Sequence, residues 1–385
     1  MKTEMNKIFS GMIKLTLLAL VVSFAFYACK DDDDDAIPSI KNFRVVEKDS
    51  SITSGAFGLY VAIQGSNLQS VKEVWFNDVK AFINPNFVTS SNIICAIPSK
   101  LPGELLNKVR LVTKSGKEYS TDFKVDLPRP VVKALYNEMA GPGTTTKVLG
   151  DYFFFISSVK FGAATAEIVD VKEHEITIKV PATAKAGDFV YVTGDGGTDT
   201  SSFKYADAGT WLFDFDKPAT SWNSIACWGG MKMRKDAESF QEQYGYVEET
   251  DLPASGWNND WVTSTCWFDY GISKFDFKNG GKVLKFEINA KLPWKWDEKL
   301  GVNDHAVLLI NINSKEYAFR PQTLTEYKTS GFQTNGWMTV TVPMSSWDIA
   351  NPSDINDFQL VFKTNKQTYE KFTTYFDNFR ICTPN

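Results

Sequence analysis

The sequence is short of the residues that hydrolytic and metal chemistry most often use. In 385 residues it holds two histidines, His174 and His305, and no G-x-S-x-G or Cys/His signature, which excludes hydrolases of the triad class. Its five cysteines include no C-x-x-C pair. Positive charge is not in excess: the formal net charge is −5, whereas nucleic acid requires a basic footprint. No stretch keeps a helical period over three turns. The longest apolar run, "LTLLALVVSFAFYA" near the N-terminus, is short of the ~20 residues that span a bilayer.

What is present begins with that run. Lys2, Lys7 and Lys14 precede it, in the order of an export signal, positive first and apolar second. It ends at Ala28 and Cys29, followed by Lys30 and Asp31 to Asp35. Without residues 1–28 the chain loses three lysines and one glutamate, so −5 becomes −7, and five of those charges lie in the aspartate run. The rest is close to neutral, which points to an uncharged ligand. Cys95, Cys227, Cys266 and Cys382 remain, and they allow three disulfide pairings or free buried thiols.

The chain repeats itself. "VAIQGSNLQSVKEVWFNDVKAFI" and "TKVLGDYFFFISSVKFGAATAEI" share a plan: a strand ending in Gly65 or Gly150, a short link, a second strand, a tight turn and a third strand. Gly65 and Gly150 are 85 residues apart, and Pro98 and Pro181 are 83 apart, a period of one small β-sandwich. "LPRP" at 127–130 marks the boundary between the copies, because proline fixes φ and lacks a donor. From about residue 206 the composition changes, and ten of the eleven tryptophans lie beyond it, Trp75 being the exception. That segment reads as strands ("KVLKFEINAKL", "HAVLLINI", "WMTVTVPM", "DFQLVFK", "TYFDNFRIC"). The expected architecture is all-β: a signal at 1–28, an acidic tether at 29–36, immunoglobulin-like sandwiches at 37–127 and 128–205, and a larger jelly-roll-like sandwich at 206–385.

The aromatic residues are the candidates for function. In "KLPWKWDEKLGV", Trp294 and Trp296 stand two residues apart, so an extended backbone turns both to one side. A flat indole matches the apolar C–H face of a sugar ring, and each such contact removes about 100 Å² from water, worth ~2–3 kcal/mol before ordering costs. Trp257 and Trp261, among the polar residues of "SGWNNDWVTS", are further candidates, while Trp211, Trp267 and Trp337 read as core. Trp222 and Trp228 are left open between the two.

The start of the chain, "FYACKDDDDD", resembles a bacterial lipoprotein signal with the surface-export tag of Bacteroidota. That resemblance implies acylation at Cys29 and an outward-facing outer-membrane anchor. The two repeats resemble IPT/TIG immunoglobulin-like domains. "WLFDFDKPATSW", "LKFEINAKLPWKW", "GWMTVTVPMSSW" and "YFDNFRI" together resemble the C-terminal domain of surface glycan-binding proteins of polysaccharide-utilisation systems, the type ending in a xyloglucan-binding sandwich. The resemblance implies a polysaccharide ligand, a neutral β-glycan such as xyloglucan or another β-glucan, with a TonB-dependent importer and surface glycosidases as partners. It implies a platform of Trp294 or Trp296 with Tyr317 and Phe319 of "KEYAFRP"; where relatives carry tryptophan this chain reads "FRPQ", which sets Arg320 there to bond ring hydroxyls or an acidic sugar instead.

Two other classes stay on the page. A surface glycoside hydrolase needs two carboxylates about 5–10 Å apart, and Asp214, Asp216, Asp269, Asp297, Glu298 and Asp377 are available, although no motif specifies an acid and a nucleophile. A purely structural or adhesive protein would leave the tryptophans of the last domain without a purpose. Asp377 and Asn378, with Asp214 or Asp216, also offer oxygen ligands to a structural Ca²⁺, against a reading of Asp377 as a turn cap. The expectation is therefore capture without catalysis or cofactor.

Overall fold

The computed structural model describes residues 36–48, 50–216, 226–228, 232–240, 242–248, 261–277, 282–365 and 373–383, with only the backbone of 226–228, 261–274 and 365. The export signal, Cys29, the acidic run and Trp257 lie outside the described residues. No α-helix occurs among the described residues, only short 3-10 turns between strands. The chain divides into two compact units, 1–127 and 128–385.

The first unit is a sandwich. One sheet orders Ser50–Ile52, Ser39–Val45, Tyr60–Ser66 and Asn92–Ala96; the other orders Val79–Lys80, Val71–Phe76, Lys108–Thr113 and Glu118–Asp122. Alternation selects the inward residues, so Val61 and Ile63 are buried and Tyr60 is exposed. Phe43, Phe76 and Phe123 meet at the centre of this core.

The second unit opens with another sandwich of the same plan. Its sheets are Val131–Leu135, Thr145–Asp151, Glu175–Lys179 and Glu167–Lys172, and Ala164–Thr165, Ile156–Phe161, Phe189–Gly194 and Gly197–Lys204. The repeated glycines have one physical cause. A side chain on Gly65 would overlap the carbonyl oxygen of Ser39, and one on Gly150 would overlap that of Val131. In both copies the glycine strand pairs with the bulged first strand of its own sandwich.

The C-terminal sandwich stacks two antiparallel sheets. The larger orders Lys232–Arg234, Tyr244–Glu248, Thr373–Cys382, Val283–Ala290 and Met338–Pro343, with Thr210–Phe213 also on Thr373–Cys382. The smaller orders Ala226–Trp228, Trp261–Phe275, Ser353–Asn365, Val307–Ile312 and Lys315–Phe319. Between them lies an apolar core rich in phenylalanine, including Phe286 stacked on Phe379 at 4.9 Å.

The outer face of the larger sheet is covered. Lys285, Glu287 and Arg380 alternate with core residues and face outward, yet they are 5%, 0% and 0% exposed. The second immunoglobulin-like sandwich lies on them. Lys285 donates to both oxygens of Glu138 at 2.7 and 2.8 Å, and Arg380 grips Glu287 at 2.8 and 3.0 Å. Arg380 also lies 3.6 Å from Glu138 and donates through Nε to the Asp207 carbonyl. The two cations and two anions cancel. Around them, the Thr339 amide donates to the Tyr136 carbonyl, the Glu138 amide to Thr339 Oγ1, and the Asn335 amide to Tyr136 Oη. Beyond this seam, Tyr244, Tyr246, Trp337 and Tyr375 form a second buried cluster on the same face.

Candidate functional site

The stretch that drew attention in the sequence does not form a platform. Pro293 to Asp297 is not a strand: it is pinned by one bridge, with the Trp294 amide donating to the Phe332 carbonyl and the Phe332 amide to the Trp294 carbonyl. The two tryptophans therefore part. Trp294 is 0% exposed, donates from Nε1 to Thr374 Oγ1 at 2.8 Å, and meets Phe319, Phe332 and Phe362 edge to face. The expectation that Trp294 meets a glycan is corrected: it is a core residue.

Trp296 stays half-buried at the surface. Its ring stacks on His305 with centroids 4.2 Å apart and planes at 19°. His305 is fixed in turn, since Nε2 accepts from the Asp297 amide at 2.9 Å and Nδ1–H donates to the Gly301 carbonyl at 3.0 Å. One face of Trp296 is thus covered, and the Lys328 ammonium lies 5.9 Å from the ring centroid.

Tyr317 and Phe319 are also corrected. Register sets Phe319 opposite Leu308 and Tyr317 opposite Ile310, both core-facing. Phe319 is buried at 9%, and Tyr317 is half-buried against Trp347 at 5.3 Å. Arg320 turns aside: its guanidinium donates to Asn303 Oδ1 at 3.2 Å, and burial lowers its pKa.

The same register points elsewhere. Core-facing Phe358, Leu360 and Phe362 pair with Phe268, Cys266 and Ser264. The alternate positions therefore belong to the outer face of the smaller sheet, and they include Trp261, opposite Asn365, and Trp267, opposite Gln359. Trp228, opposite Thr265, occupies the same face. Three tryptophans thus share one face by backbone position. Trp261 and Trp267 are six residues apart on one strand, about 20 Å along it, and Trp228 is diagonal to Trp267 at about 7–8 Å between backbones.

The described apolar part of this face is Val307, Leu309 and Val361, which are 2%, 5% and 7% exposed, with Ala318 packed beside them. Asn311 donates to Gln359 Oε1 at 2.8 Å, and its own Oδ1 has no partner among the described residues. An apolar floor with amides in the next row suits a flat ligand with apolar faces and hydroxyl edges. Alternation between "CWFD" and "FQLVF" was the signal for it, but only pairing says which alternate set faces the core.

Asp377 is 2% exposed and accepts the Asn378 amide at 2.8 Å. Burial first, then Glu287, Asp216 and Asp214, push its carboxyl up to about 9, against the pull of that amide. Asp216 is raised as well, mainly by burial, while the Gln243 and Glu242 amides bond it. Among the described residues no group of three His, Cys, Asp or Glu is arranged to hold a metal ion.

Comparison with known proteins follows this geometry. Residues 205–383 match the family model "Surface glycan-binding protein B xyloglucan binding domain", and residues 48–125 match the IPT/TIG domain. An IPT/TIG domain-containing protein of Bacteroides ovatus is 28% identical over 186 residues, 44% of this chain and 37% of that relative's length. The crystal structure of a surface glycan-binding protein B from Prevotella bryantii superposes with a TM-score of 0.66 at 21% identity, covering 91% of this chain and 99% of that one. A surface glycan-binding protein B from a complex xyloglucan utilization locus in Bacteroides uniformis superposes at 0.50 with 18% identity, covering 90% and 100%. These likenesses show the fold.

Proposed function

We propose that this chain, whose C-terminal domain belongs to the surface glycan-binding protein B xyloglucan-binding family and whose first sandwich belongs to the IPT/TIG family, captures a neutral β-glycan at the cell surface. The observation that carries the site is the register that assigns Trp228, Trp261 and Trp267 to one face of the smaller sheet. Xyloglucan is the ligand class that the matched family's description and the Bacteroides uniformis relative's locus favour.

The mechanism is adsorption without bond breaking. A linear chain laid across the face buries C–H surface on the indoles, while the Gln359 and Asn311 amides meet hydroxyls. Two or three such contacts give about 4–8 kcal/mol, a millimolar to micromolar Kd. That is sufficient for a tethered receptor, because anchoring raises effective concentration. In this reading acyl chains on Cys29 hold the protein to the outer membrane, and the glycan passes to surface glycosidases and a TonB-dependent importer.

Affinity electrophoresis against xyloglucan, mixed-linkage β-glucan, mannan and xylan tests this. Trp267→Ala is expected to reduce retention at least tenfold, with the melting temperature of the purified protein moving by no more than a degree or two. Unchanged retention by Trp228→Ala, Trp261→Ala and Trp267→Ala alike would refute the face. Release of reducing sugar from any of these polymers, lost on one carboxylate substitution, would replace capture by hydrolysis.

A further inference from the structure

The same register brings two cysteines together. Cys227 lies in the edge strand Ala226–Trp228 and Cys266 in its neighbour Trp261–Phe275, and the antiparallel pairing sets them directly opposite each other. Directly opposed residues in such a ladder have Cα atoms about 4.5–5.5 Å apart, inside the ~4.4–6.8 Å window that a disulfide spans. Cys95 and Cys382, whose side chains are described, have no such neighbour among the described residues. Cys95 is a free thiol within the core of the first sandwich. Cys382 is a free, buried thiol near the Asp207 carbonyl, on the larger sheet of the C-terminal sandwich. Burial pushes Cys95 up to about 12 and Cys382 up to about 11, which leaves both almost without thiolate at neutral pH.

We infer that Cys227 and Cys266 form a cross-strand disulfide that fastens the edge strand carrying Trp228 to the strand carrying Trp267. Both positions fall in the row of core-facing Leu360, directly beneath the tryptophan face in the alternation of the sheet. Among the described residues this three-residue strand has one ladder to hold it, and a bond at its middle residue fixes its register. The inference stands on strand pairing and holds whether or not the face above takes a glycan.

The chemistry balances by exchange with a disulfide-bearing partner, either an oxidised thiol oxidoreductase of the export route or oxidised glutathione in a tube. One cysteine thiolate attacks the partner's S–S bond and forms a mixed disulfide. The second thiolate attacks that bond, the Cys227–Cys266 bond forms, and the partner leaves as two reduced thiols carrying the two protons and two electrons.

The test uses the full chain, exported or incubated with oxidised glutathione, then alkylated in denaturant without reductant, digested and mapped by mass spectrometry. The expected result is one cross-linked peptide pair containing Cys227 and Cys266, two hydrogens lighter than the reduced pair, with Cys95 and Cys382 alkylated. Alkylated Cys227 and Cys266, or a cross-link from either to Cys95 or Cys382, would overturn it. A second readout guards against unstable variants. Cys227→Ser, Cys266→Ser and the double variant are expected to melt at one temperature, and dithiothreitol to bring the parent down to it; additive losses in the two single variants would overturn it. Cross-linked protein that fails to bind any glycan would leave the disulfide standing and remove the glycan reading.

Discussion

The two sheets of the C-terminal sandwich each turn one face to a common core, and they differ in what the other face does. The larger sheet turns Lys285, Glu287 and Arg380 outward and covers them with the second immunoglobulin-like sandwich. The smaller sheet turns outward an apolar floor, two amides and three tryptophan positions. The same alternation thus supplies a glue surface on one side and a candidate docking surface on the other. Paired buried charge is a device for fixing orientation, because each group is costly to strand without its partner, whereas flat aromatic surface accepts a ligand without demanding one. The second sandwich and the C-terminal sandwich are accordingly one unit, and the break in the chain falls earlier, at Pro128.

Breaking the covered face is expected to have the largest effect. Arg380→Ala strands Glu287 in a buried site and leaves Glu138 to Lys285 alone, at a cost of about 3–5 kcal/mol. Thermal unfolding of the full protein is expected to show a lower transition for residues 128–385 and an unmoved one for the first sandwich. Proteolysis at residues 205–209 is expected to become faster. A melting temperature unchanged within a degree or two would mean that the seam contributes nothing to cohesion. Trp294→Ala is expected to fall in the same range, about 3–5 kcal/mol, because it empties a site bounded by Phe319, Phe332 and Phe362.

Asp377 sharpens the contrast from within the covered sheet, since no cation pairs with its carboxylate among the described residues. Its carboxyl moves from the usual 3.8 up to about 9 on folding. The folded state thus holds a proton that the unfolded state releases. The stability this gives is full below about pH 3.8 and is lost progressively as pH rises toward about 9. Asp377→Asn is expected to raise the melting temperature at pH 8 by a few degrees and to make no difference at pH 4. The difference between variant and parent across pH 4–9 in the presence of a chelator is the measurement. If Asp377→Asn lowers the melting temperature in Ca²⁺ and not in chelator, the carboxylate holds a cation, and the Ca²⁺ expectation replaces the protonated one.

The strands and the repeated plan were legible in the sequence because they are written in period two and in glycines with a backbone reason. Gly65 and Gly150 announced their role through spacing alone, and the structure supplies the carbonyl each must pass. The platform was not legible. "PWKW" satisfied the i, i+2 rule, but that rule holds only in a strand, and a single bridge to Phe332 sends Trp294 inward and Trp296 outward. "KEYAF" failed differently: Tyr317 and Phe319 do share a face, and it is the core face, which only the pairing with Leu308 and Ile310 decides. Trp267 was read as core from its apolar neighbours; its backbone pairs with Gln359, in the row that alternates with core-facing Leu360, and its side chain lies outside the described residues. Partners distant in sequence set the facing of a strand, and one chain read alone does not contain them.

The smallest expected effect separates the tryptophan row of the smaller sheet from the loop that imitates it. Trp296 keeps part of its ring in solvent, but His305 covers one side, and His305 is itself held by Asp297 and Gly301. Removing the indole forfeits one stacked pair, worth about 0.5–1.5 kcal/mol beyond the area that the half-buried ring covers, and leaves the smaller sheet untouched. Trp296→Ala is therefore expected to lower the melting temperature by a few degrees at most and to change glycan retention less than twofold, where Trp267→Ala changes it tenfold. Measured side by side on one gel series, a tenfold loss at Trp296 with none at Trp267 would transfer the binding surface from the sheet to the loop at its end. A loss at both would extend the surface around that end, and Arg320, held by Asn303 of the same loop, would be the next residue to change.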